Sequence, residues 1–96
     1  MSRRRLLVTY DVCDDRRRNQ VFRLLSDQGD HVQFSVFLCE LSDRERVRLL
    51  DQLERLLNAA EDQVLFLDMG SAEHDPTLTM TGIGRPFVPP VRTLVV

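Results

Sequence analysis

Leu6, Val8, Tyr10 and Val12 alternate with Arg5, Leu7, Thr9 and Asp11. This period-two pattern predicts a strand over residues 4–12 and sets Asp11 at its end, on the face opposite Tyr10. Asp14 or Asp15 then stands where a helix cap belongs, and Val21, Phe22, Leu24 and Leu25 supply the apolar stripe of a helix that runs to Gln28 and stops at Gly29. From His31 to Leu41, HVQFSVFLCEL is β-branched and aromatic and predicts one long strand or two short ones broken near Ser35. Ser42 followed by Glu45 predicts a capping box. It opens a second helix reaching Asn58 or Ala60, with Val47, Leu49, Leu50, Leu53, Leu56 and Leu57 facing inward and an Asp51–Arg55 pair one turn apart. Gln63 to Met69, QVLFLDM, predicts a further strand, with Val64 and Phe66 on one side and Leu65 and Leu67 on the other.

Strand, helix, strand region, helix, strand is the order of an α+β sandwich of ferredoxin-like type, with two helices on one face of an antiparallel sheet. Two helices cover one face only, and a second subunit is the simplest cover for the other. Residues 1–96 are therefore read as a single domain, with a core over 1–70 and a polar loop and C-terminal dimerisation strand over 71–96. Within the latter, SAEHDPT is a polar loop, LTMTGIG is expected to be a short strand, and the segment of Pro86, Pro89 and Pro90 cannot pair regularly. Val91 to Val96, VRTLVV, is expected to add a strand to the partner's sheet of a homodimer.

The chain has 96 residues, 43% of them apolar and 29% charged, which allows one folded domain and excludes disorder. A domain of that size buries only roughly 60 to 65% of its surface, which again favours association. The net charge of −2 argues at first against a nucleic-acid partner. The distribution matters more: residues 1–40 carry seven Arg against six acids, and residues 61–96 two against five. All thirteen basic residues are Arg. Cys13 and Cys39 form no CxxC pair, and with only His31 and His74 to help they exclude a structural zinc site. The apolar run after the basic start is too short for a signal peptide or membrane span, so no membrane association and a cytoplasmic location with reduced thiols are expected.

The chemistry concentrates in Tyr10 to Arg18, YDVCDDRRR. Carboxylates at a strand end suit Mg²⁺, a hard cation that takes oxygen ligands and keeps several waters. Capping accounts for Asp14 and Asp15, which leaves Asp11 as the best single candidate. Arg16, Arg17 and Arg18 stand in the first turn of the helix, where cations oppose the macrodipole. That local cost points to phosphate binding, with Arg3 to Arg5 joining the same patch. The aromatic residues do not cluster, which argues against base stacking or sequence readout. Ser35 and Cys39 lack an activating His and are read as core or bulge positions rather than nucleophiles.

The stretch from Tyr10 to Leu41, with YD at Tyr10 and Asp11, DDRRR at Asp14 to Arg18 and G-x-x-V-Q-x-S-V-F at Gly29 to Phe37, resembles the signature of the small CRISPR-associated endonucleases, the Cas2 proteins of spacer acquisition. The sequence departs from that pattern at Gln20 and His31, where the family often carries a basic residue. The resemblance implies a ferredoxin-like homodimer in which two copies of Asp11 share Mg²⁺ or Mn²⁺ and activate water for phosphodiester hydrolysis. It adds Tyr10, Ser35 and Phe37 as supporting positions. The implied partners are the Cas1 integrase and nucleic acid, either duplex DNA or single-stranded RNA. It also implies two alternatives to the nuclease: a non-catalytic adaptor holding prespacer DNA, and a toxin-like ribonuclease of the same fold.

Overall fold

The computed structural model describes residues 3–88. The alternation at the start of the chain forms strand β1, Arg4–Asp11, and its even-numbered side chains Leu6, Val8 and Tyr10 are buried. Asp14 caps helix α1, Asp15–Gln28, by accepting the Arg17 N–H at 2.9 Å. HVQFSVFLCEL forms two strands rather than one, β2, Gly29–Gln33, and β3, Val36–Leu41. The break at Phe34 and Ser35 is tight enough to hold Ser35 at φ 61°, in the left-handed region. Both halves of the predicted capping box form at Ser42 and Glu45, and helix α2 spans Asp43–Leu56. Strand β4, Gln63–Ser71, runs two residues beyond its apolar stretch. Gly70 makes this possible by adopting φ 96° at the point where the β1–β4 register slips.

The sheet order is β2-β3-β1-β4, and every neighbouring pair is antiparallel. Phe37, Cys39 and Leu41 of β3 join Leu6, Val8 and Tyr10 against Val21 and Leu25 of α1 and Leu49 and Leu53 of α2. Burial of each Leu- or Phe-sized side chain stabilises the fold by about 1.5 to 3 kcal/mol. Val47 departs from the expected inward face and is 66% exposed, because it lies two residues, more than half a turn, from Leu49. Gly29 ends α1 by close approach rather than by a left-handed turn. A Cβ there would lie 2.5 Å from both the Cys39 Sγ and the Leu38 carbonyl oxygen.

The opposite face of the sheet carries a charged centre beside an apolar edge. Arg5 is only 7% exposed and pairs across the strands with Glu40 at 3.0 Å. The same Nη2 also donates to the Ala72 carbonyl at 2.9 Å, and Nη1 donates to the His74 carbonyl, tying the chain that leaves β4 to this face. Leu65 and Leu67 stay about half exposed on edge strand β4. The expected strand LTMTGIG does not form. Pro76–Leu78 make a 3₁₀ turn capped by Asp75, and residues 79–88 are irregular, with Gly84 at φ 92°. The segment Val91 to Val96 lies outside the described residues. Among the described residues no helix is long and apolar enough to cross a membrane.

Candidate active site at the end of the first strand

Asp11 is the last residue of β1, opposite Gln63 of β4, and it is exposed. The main chain is anchored on both sides of it. Before it, the Tyr10 N–H donates to the Ser35 carbonyl at 3.1 Å. After it, the Val12 carbonyl accepts from Arg18 Nη1 at 2.9 Å, and the Cys13 N–H donates to Asp62 Oδ1 at 3.1 Å. The Asp11 side chain makes no hydrogen bond or ion pair with another described residue. An open carboxylate thus projects from backbone that cannot easily relax, which is the arrangement a binding or catalytic group requires.

The neighbouring acids are occupied. Asp14 caps α1, and Asp15 pairs with Arg18. Asp62, which sequence reasoning did not single out, has a fully buried carboxylate that accepts from Arg17 Nε at 2.8 Å, from Asn58 N–H at 2.9 Å and from Cys13 N–H. Bonding to Arg17 first, opposed by desolvation and helped by the Asn58 and Cys13 amides, pulls its pKa down from 3.8 to about 2. No local pattern could have revealed it, since the Arg17 pairing spans 45 residues.

The three arginines divide. Arg17 holds Asp62 and Glu61, and Arg18 holds Asp15 and the Val12 carbonyl, so both lock the loop after Asp11. Arg16 is exposed, and it pairs with no other described residue. The expected union with Arg3 to Arg5 does not occur, because those residues begin β1 while Arg16 follows its far end, about 26 Å away for an eight-residue strand. Arg3, Arg4 and Arg5 are paired instead with Glu45, Asp68 and Glu40.

The supporting positions are structural here. Tyr10 is 8% exposed, and its ring lies 6.3 Å from that of the buried Phe37. Phe37 in turn meets Phe22 and His31. Ser35 contributes its carbonyl to the anchor before Asp11. Among the described residues no three His, Cys, Asp or Glu side chains converge as a metal cage. At this end of β1 the described residues offer one open carboxylate, Asp11. That fits a well-hydrated Mg²⁺, which takes one or two carboxylates, only where a second group completes it.

A four-stranded antiparallel sheet with two helices on one face and a strand-terminal aspartate defines a ferredoxin-like protein with a candidate hydrolytic site. Residues 4–75 match the model of the CRISPR associated protein Cas2 family, and the chain belongs to that family. It is 40% identical over 81 residues to a CRISPR-associated endoribonuclease Cas2 of Rhodospirillum rubrum, covering 84% of this chain and 78% of that one. It is 33% identical over 90 residues to the Geobacter sulfurreducens CRISPR-associated endoribonuclease Cas2, covering 94% of each. The crystal structure of Streptococcus pyogenes Cas2 superposes with a TM-score of 0.72 at 28% identity, over 83% of this chain and 99% of that one.

Proposed function

We propose that this protein is a cytoplasmic, homodimeric, metal-dependent endoribonuclease that supports CRISPR spacer acquisition together with the Cas1 integrase. The observation that carries the reading is Asp11, an unengaged carboxylate on main chain anchored at Tyr10, Val12 and Cys13. The relatives described as endoribonucleases favour RNA as substrate. Half-exposed Leu65 and Leu67 on an edge strand support a second copy packing against the open face, so that Asp11 is presented twice. Two facing Asp11 carboxylates would repel, and together they would hold Mg²⁺ or Mn²⁺, whose charge would relieve that repulsion. When bound, the ion supplies positive charge to the scissile phosphate and lowers the pKa of water.

This chain's own residues do the rest. Asp11 would hold the ion, Arg16 neutralises a backbone phosphate, and Arg17 and Arg18 keep the loop from drifting. Purified protein with Mg²⁺ or Mn²⁺ should cut single-stranded RNA, and Asp11→Asn should abolish cutting while leaving circular dichroism and elution volume unchanged. Cutting by Asp11→Asn would remove Asp11 from the mechanism. Wild type inert toward RNA and duplex DNA under every metal and pH would replace the nuclease by a non-catalytic adaptor that holds prespacer DNA.

A further inference from the structure

The tip of the β2–β3 hairpin carries Phe34, which is 86% exposed. Hairpin tips favour Gly, Asn and Asp, and the positive φ of Ser35 marks this one as a turn that those residues would form with less strain. A phenylalanine there adds nothing to the core and presents to water a single aromatic face, although the scattered aromatics of the sequence argue against a stacking surface. Its place is nevertheless fixed. Gln33 pairs with Val36 across the turn, and the Ser35 carbonyl is held by the Tyr10 N–H at 3.1 Å.

The same contact sets Phe34 beside the candidate site. Thr9 and Val36 are the last paired residues of β1 and β3, Tyr10 and Ser35 close the next rung, and Phe34 follows at the level of Asp11. Neighbouring strands lie about 5 Å apart, so ring and carboxylate share one end of the sheet. Beside that carboxylate, an unpaired arginine at Arg16 and an exposed aromatic ring are the groups that hold one nucleotide of a flexible strand, the first by its phosphate and the second by its base.

We propose that Phe34 is a stacking platform for an unpaired nucleobase at this site, so that a single strand engages it and a duplex does not. A base inside a duplex has both faces covered by its neighbours and offers none to Phe34, whereas an unpaired base offers one whatever its identity. The proposal rests on nucleic acid lying at Asp11, and it adds the selection of strand form.

The test is fluorescence anisotropy in EDTA with a labelled single-stranded RNA and a duplex DNA of equal length, on wild type, Phe34→Leu and Phe34→Trp. Loss of one stacking contact should weaken RNA binding by Phe34→Leu roughly five- to a hundred-fold. Phe34→Trp should keep wild-type affinity, duplex binding should be the same for all three, and light scattering should give one oligomeric state throughout. Unchanged RNA affinity in Phe34→Leu, an equal loss for RNA and duplex, or an altered oligomeric state would overturn the proposal, the last by assigning Phe34 to contact with a second copy. Wild type that binds no RNA would overturn it together with the nuclease reading. Normal RNA binding with no effect of Phe34→Leu would overturn the stacking role alone.

Discussion

Asp62 sits beneath the Arg17 guanidinium with its carboxylate fully buried, 2.8 Å from Nε, and so fastens the loop after Asp11 to the chain that enters β4. Its depressed pKa carries a pH signature. The unfolded chain binds a proton near the ordinary 3.8 and the folded chain only near 2, so the stabilisation is complete above the higher value and is lost as pH falls through the lower one. Asp62→Asn should lower Tm at neutral pH and flatten the fall of Tm between about pH 4 and 2. A wild-type slope retained in Asp62→Asn would place the acid sensitivity elsewhere.

Arg16 and Arg17 are adjacent and should behave oppositely. Arg16→Ala should leave stability within about 0.5 kcal/mol and reduce the salt slope for single-stranded RNA by about 0.7. Arg17→Ala should lower Tm much more, because it leaves the Asp62 carboxylate buried without its cation. Thermal melts beside affinities at several salt concentrations separate the two roles.

Gly29→Ala tests the close approach of α1's end to β3. The added Cβ meets the Leu38 main chain and the Cys39 sulfur at 2.5 Å, and only strand displacement relieves the clash. Destabilisation of about 1 to 3 kcal/mol is expected, read as a Tm lower by about 4 to 8 °C for each kcal/mol.

Leu67→Glu tests the proposed use of the open sheet face. A charge there should weaken self-association at least about ten-fold by light scattering, since it would be buried without a partner. The monomer fold should be unaffected, because Leu67 is 48% exposed in the single chain. An unchanged oligomeric state would remove this face from the interface.

The elements and their order were legible in the sequence because they depend on neighbours in the chain. Alternation over Arg5 to Val12 makes a strand wherever one face is buried, and the Ser42–Glu45 capping box closes within a single turn. The same locality made Asp11 a candidate, since the parity of β1 alone sets it opposite the core-facing Tyr10. Tertiary structure decided which charges remain available. Three consecutive arginines look alike in sequence, yet Arg17 and Arg18 are drawn into the loop by Asp62, Glu61, Asp15 and the Val12 carbonyl, and Arg16 is left to solvent. It also divided the predicted strand region at Phe34 and Ser35 and set that turn level with Asp11. Such pairings join residues far apart in the chain, and their energies depend on burial and geometry that exist only once β1, β3 and β4 lie side by side.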